Sequence, residues 1–388
     1  MPIVNYKKNV IMRKIILSIV LSAVLIGCSS GETKFSSAPI KNMPPKIEYE
    51  SLLLEKMVLD SVNTSSFGES YITNVGQIAF MDKHFCTLTE FDTSGHLLRT
   101  SLGSGPGPAE LQVGRVAGQT YMEDGRLALL GYNLDFHVVS SDLKSKDMFV
   151  LDRKPDDEVD KSSLTYTNQY SDMVCRSYHN HVYFNMYSEH PDFNYLDHMD
   201  DYLAKCRHIW KIDINIKEDK GLFLPGYPKS YKEEPYKNVP FLGTCFDIDK
   251  QGNFYVKYDK DSLVYEYTND FEPVRTYGYA GEGMNLDYQT IHSYKESRKI
   301  YRSERNNKGY YYWVEYVDET GLLFVSYRKD LEDSDGLQVY KDGYLIADVI
   351  VPKKFRVMGY VAPYYYSYII PLLDEDDDSL IMYRFKLD

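Results

Sequence analysis

Tryptophan is almost missing from this chain, at 2 of 388 residues, and cysteine is scarce, at 5. No two cysteines stand in a CxxC spacing, so zinc knuckles and ribbons are excluded. Basic residues are outnumbered: 44 Lys and Arg face 57 Asp and Glu, a formal net charge of −13. Residues 1–27 hold four basic side chains and no acid, so the remainder stands at −17. A surface of that sign repels phosphates, and nucleic acid is excluded as a partner of the folded part. Signatures of chemistry are missing too. There is no GxSxG elbow, no HExxH, no Asp-x-Asp-x-Asp-Gly calcium loop and no Ser-x-Asp-x-Gly-x-x-Trp box. Gly103-Ser104-Gly105-Pro106-Gly107 lacks the following Lys-Ser/Thr, and Pro106 and Pro108 remove donors, so it is no phosphate cradle. No catalytic residue, metal ligand or cofactor is assigned.

One long apolar run is present, Ile15 to Ile26, preceded by Lys7, Lys8, Arg13 and Lys14. It is too short to span a bilayer and has the layout of a signal peptide. It ends in Leu25-Ile26-Gly27-Cys28, a lipobox. The expectation is removal of residues 1–27 and acylation of Cys28, a firm anchor at about 0.8 kcal/mol per buried methylene. Residues 28–45 are small, polar and proline-bearing and read as a flexible linker. Residues 46–388 form the folded domain. The expected setting is the cell envelope, at the outer membrane. A single acid, Glu32, closely follows Cys28, where similar lipoproteins that are exported to the surface carry an acidic patch; that likeness implies the periplasmic side over surface exposure.

Helical periodicity is nearly absent from residues 46–388. Short apolar runs alternate with Asp, Asn, Gly and Lys turns, the pattern of an all-β chain. The clearest unit runs from Cys245-Phe246-Asp247-Ile248 through Asp249-Lys250-Gln251-Gly252 to Asn253-Phe254-Tyr255-Val256, then Leu263 to Tyr267. Six such units recur, each a four-stranded meander whose two faces need neighbours. Stacked radially they make a six-bladed β-propeller. Seven blades is the alternative if the insertion in unit three hides one. Unit six lacks a last strand, and the segment Ile47–Leu59 supplies a candidate to complete it and close the ring. A helix is expected from Leu286 to about Arg305. The 37 tyrosines suit aromatic-rich strands.

The run Leu97-Leu98-Arg99-Thr100-Ser101-Leu102-Gly103-Ser104-Gly105-Pro106-Gly107-Pro108-Ala109-Glu110-Leu111 resembles the inter-blade signature of six-bladed propeller lipoproteins of Bacteroidetes, distant relatives of NHL and TolB-type propellers. Pro273-Val274-Arg275-Thr276-Tyr277-Gly278 repeats it in unit four, so Arg99 and Arg275 are expected at equivalent stations. The resemblance implies the fold and the lipid-anchored setting, and no activity.

Unit three carries an insertion between Val182-Tyr183-Phe184 and Ile209-Trp210-Lys211. Its Tyr187, His190, Phe193, Tyr195, His198 and Tyr202 form the candidate recognition loop, since long loops with aromatics often contact partners. Packing of those aromatics onto their own blade is the alternative. His179 and His181 fit no metal spacing. The acidic runs at 156–160, 332–335 and 374–378 read as solvated hairpin tips. Cys175 and Cys206, flanking the insertion, are the one candidate disulfide; otherwise the thiols are free and buried. The leading function is a binding or scaffold module for a protein or glycan. The rival is a hydrolase or lyase acting on a carbohydrate or lactone, which would gather carboxylates from at least three blades at the ring centre.

Overall fold

The computed structural model describes residues 42–111, 114–151, 164–166, 173–189, 198–237, 239–292, 294–329, 333–371 and 380–387. Six antiparallel four-stranded sheets stand around one axis as a six-bladed β-propeller. Blade one is Gly68–Ile72, Ile78–Asp82, Thr87–Phe91 and Leu97–Leu102. Blade two is Val116–Tyr121, Leu127–Gly131, Asp135–Val139 and Lys146–Val150. Blade three is Cys175–Tyr178, His181–Asn185, Arg207–Asp213 and Glu218–Pro225. Blade four is Thr244–Ile248, Phe254–Tyr258, Val264–Tyr267 and Pro273–Tyr277, and blade five is Tyr311–Val317, Leu322–Tyr327, Ser334–Lys341 and Tyr344–Pro352. Blade six takes Val357–Val361, Tyr364–Ser367 and Leu380–Phe385 from the end of the chain and Glu55–Val58 from its beginning. Met57 pairs with Met382 in that sheet, so the ring closes as the sequence predicts. The insertion of blade three hides no seventh blade among the described residues; a two-stranded sheet of Leu164–Tyr166 and Tyr187–Glu189 stands there.

Tight turns set the meanders. Gly95 and Gly252 take positive φ, +92° and +84°, a conformation that costs an L side chain and not glycine. Each donates its N–H to the carbonyl three residues back, Asp92 at 3.0 Å and Asp249 at 2.9 Å. A meander places its first and third turns on one face of the ring. The second turn and the crossing to the next blade lie on the other. The first face here is all short turns. The second carries the long segments: the blade-three insertion, residues 226–243 and residues 278–310.

Buried aromatics fill the gaps between sheets. Trp210, Trp313, Tyr183, Tyr258, Tyr277, Tyr311, Tyr327 and Tyr340 are fully buried. The tyrosine excess is therefore largely packing material, at roughly 150–250 Å² buried per ring. The four described cysteines are buried and unbridged, which corrects the Cys175–Cys206 pairing and agrees with free thiols. The helix is shorter than expected, Tyr294–Asn307. Upstream, the Ile291 N–H is bound to the Tyr236 carbonyl at 2.9 Å, so that backbone is not free to wind. The helix flanks blade four, where Arg305 pairs with Asp259. Asp335 is also unlike the expected solvated tip: it is buried in the third strand of blade five, accepting from Lys354 N at 2.7 Å. The acidic runs at 156–160 and 374–378 lie outside the described residues.

Candidate binding site at the propeller axis

The innermost strands of the first three blades carry one tripeptide pattern: Glu69-Ser70-Tyr71, Gln119-Thr120-Tyr121 and Arg176-Ser177-Tyr178. Strand alternation sends the first residue of each and its third to the same face. Asp247 and Glu315 hold comparable places near the ends of the inner strands of blades four and five. The hydroxyl between them ties neighbouring blades: Ser70 Oγ accepts from Ile369 N at 2.9 Å, and Ser177 Oγ donates to the Tyr121 carbonyl at 2.6 Å.

These strands enclose a cavity of about 230 Å³ lined by all six blades, including Glu69, Gln119, Arg176, Asp247, Glu315 and Tyr368. Ile72, Tyr121, Ile248 and Tyr316, partly exposed at the ends of their strands, form the mouth on the short-turn face. Deeper in, Arg176 organises the charges. Its Nε donates to Asp247 Oδ1 at 2.5 Å and its Nη2 to Glu315 Oε2 at 2.8 Å. Nη1 donates to the Cys175 carbonyl at 3.2 Å, and the guanidinium lies over the Trp313 ring, 5.0 Å from its centroid. Asp247 Oδ2 accepts from Tyr316 N at 2.6 Å. On the other wall Glu69 takes Lys83 Nζ at 2.7 Å and Gln119 Nε2 at 2.9 Å.

Three carboxylates from three blades thus meet at the centre, balanced by Arg176 and, behind Glu69, by Lys83. Burial and the Asp247 carboxylate push Glu315 well above the usual carboxylate range, against the pull of Arg176. Burial likewise raises Tyr121 to about 12 and Cys175 beyond the range where a thiolate forms. Gln119 is 5% exposed, and its Oε1 has no hydrogen-bond partner. Glu69 accepts only, so the amide orientation is fixed and the orphan is the carbonyl oxygen. An unmet buried acceptor costs about 1–3 kcal/mol.

The candidate recognition loop lies on the opposite, long-loop face. Cys28, His190, Phe193 and Tyr195 lie outside the described residues. Tyr187 stands in the strand paired with Leu164–Tyr166. His198 is exposed at the start of the helix Met199–Lys205. Tyr202, on that helix, is 1% exposed and packs 6.1 Å from Tyr227, so this ring is core and not contact surface. His179 and His181 engage different acids, Glu123 at 3.4 Å and Asp213 at 3.5 Å. They line a second cavity of about 410 Å³ with Tyr183, Lys211 and Asp270. The axial residues were not singled out from sequence. The repeated polar-hydroxyl-Tyr pattern was the signal that would have found three of them.

No family model matches the chain, and no curated protein matches it. Among solved structures it is similar to a member of the DUF4221 family from Bacteroides vulgatus, with a TM-score of 0.67 and 15% identity over 89% of this chain and 99% of that one. It is also similar to a protein of Bacteroides fragilis described as exported, with a TM-score of 0.54 and 13% identity over 90% and 100% of the two chains. The likeness shows the propeller fold, in agreement with the resemblance to Bacteroidetes propellers.

Proposed function

We propose that the chain is a lipid-anchored binding module of the cell envelope, taking a small polar group of a protein or glycan into the axial cavity. The observation that carries this is the convergence of Glu69, Gln119, Arg176, Asp247 and Glu315 from five blades on one cavity that leaves Gln119 Oε1 unsatisfied. Charged groups of this kind cost stability when buried, so a core built for packing alone has no use for them. The envelope setting rests on the lipobox at Cys28 and on the exported neighbour from Bacteroides fragilis. In this reading a lipid on Cys28 is the attachment, with the ring on the periplasmic side of the outer membrane. Phosphate backbones are not its partners, given the charge of −13. The test is ligand binding by wild type and by Gln119→Leu, read on a glycan array and by pull-down. Loss of signal in the variant at unchanged melting temperature supports the axial site, and equal signal from both proteins removes it.

The meeting of Glu69, Asp247 and Glu315 from three blades is the arrangement expected of the second reading, a hydrolase or lyase acting on a carbohydrate or lactone. Burial holds Glu315 towards its protonated form beside Asp247, and a carboxyl kept protonated can serve as an acid. Every described carboxylate here is nonetheless engaged by a cation or an amide, which suits holding a ligand better than moving protons. Turnover of a lactone or glycoside panel that Glu315→Gln abolishes would replace the first reading by the second.

A further inference from the structure

We infer that the axial cavity is selective for a small organic cation, one primary ammonium group on a body no larger than a monosaccharide. This rests on the axial binding reading and names its ligand class. The lining is acceptor-rich: Glu69, Asp247 and Glu315 face one lining cation, Arg176, because Lys83 stands behind Glu69 and does not line the cavity. Arg176 spends its Nε and one N–H of each terminal nitrogen on Asp247, Glu315 and the Cys175 carbonyl, so three of its five donors are engaged and its charge is matched to two acids. Gln119, a lining residue, keeps a buried carbonyl oxygen without a hydrogen-bond partner. An ammonium group has three donors and no acceptor, which complements such a lining. Tyr121 and Tyr316 stand at the mouth, and aromatic rings attract cations. A carboxylate or phosphate would meet three acids there. A neutral polyol brings acceptors as well as donors, and would set its own oxygens against those of Glu69, Asp247 and Glu315.

The arrangement also supplies a proton to release. Glu315 faces Arg176 from blade three, Asp247 from blade four and Tyr368 from blade six. An added cation favours the ionised form of Glu315, so binding drives the proton from its carboxyl to solvent.

The test is calorimetric titration of the detergent-solubilised full-length protein with glucosamine and with 1-butylamine, using glucose and glucuronate as the neutral and anionic probes. The expected result is binding of both amines at least tenfold tighter than glucose, none of glucuronate, and a heat that varies with the ionisation enthalpy of the buffer. Glu315→Gln mimics the protonated acid and should fold with the wild-type melting temperature. It should bind the amines about tenfold more weakly with no buffer dependence. Glucose bound as tightly as glucosamine, at a site weakened by Gln119→Leu, overturns the cation inference and leaves the axial site standing. Absence of binding by all four probes overturns the inference. If the axial variants also match wild type in array and pull-down signal, the axial reading falls with it.

Discussion

Arg99 and Arg275 occupy the same station in blades one and four: each is the third residue of its outermost strand and grips the carboxylate nine residues earlier. Arg275 reaches Glu266 through Nε at 2.6 Å and Nη2 at 2.9 Å, and Arg99 binds Glu90 through the same two nitrogens. A β-bulge follows at the same point in both sheets, between Glu90 and Phe91 and between Glu266 and Tyr267. The carboxylates are buried, 3% and 9% exposed, while the arginines lie over them nearer solvent.

The pairs are equivalent but not equally backed. Glu266 also accepts from the Tyr277 hydroxyl at 2.8 Å. Arg275→Ala should therefore cost about 1 kcal/mol and Arg99→Ala about 2, within the range for stranding a buried acceptor. Thermal melts of the two variants measure this, and a larger loss for Arg275→Ala contradicts it.

His208 gives the acid limb of stability. Burial lowers it from 6.5 to about 4, and it bonds the Gly226 carbonyl at 2.9 Å through Nε2, which is therefore the protonated nitrogen. Between pH 4 and 6.5 the unfolded chain binds a proton that the folded chain refuses, so stability falls as pH drops through that window. The contribution is about 3 kcal/mol at 1.36 kcal/mol per unit. Denaturation midpoints of His208→Gln should depend less on pH between 6.5 and 4 than those of wild type. An unchanged slope refutes the assignment.

Tyr202 tests how the insertion is held. Its ring joins Tyr227, Leu203 and Met199 in the largest core cluster. Tyr202→Ala should destabilise by about 3–5 kcal/mol, as for other large buried aromatics. His198→Ala, at an exposed position, should leave the melting temperature within a degree or two. Equal effects of the two would show that the helix does not tie the insertion down.

The blade count, the turn pattern and the closing strand were legible because their residues obey strand alternation and turn chemistry. Blade five showed all four strands in this way. Two kinds of strand escaped. Lys146–Val150 and Glu218–Pro225 are outermost, and Lys146–Val150 has no buried residue to mark an inner face. Gly68–Ile72 was missed for the opposite reason: it is innermost, and Glu69 and Ser70 are buried polar groups facing the axis or the neighbouring blade. Sequence patterning fails where a strand buries polar groups at the axis, which is why the axial cluster stayed hidden while its scaffold did not.

Attachment has a direct test. Cys28→Ala should release the protein from membranes and abolish metabolic labelling with an alkynyl fatty acid. Equal labelling of wild type and variant would sink the lipid anchor.

Glu55 and Arg384 bond across 329 positions, in a sheet built from both ends of the chain. Until the last strand has been made and delivered, Leu380–Phe385 cannot receive its outer partner, and five blades must wait as an open arc. Pairing at that separation has a large loop-closure cost and is slow. The arc exposes a sheet face at its end, and the unfinished sixth sheet exposes the edge of Tyr364–Ser367, the kind of edge along which chains associate wrongly. Completion of the ring is therefore the step at which a chaperone has most to protect, and truncations of only the final strand should yield aggregates rather than a five-bladed protein.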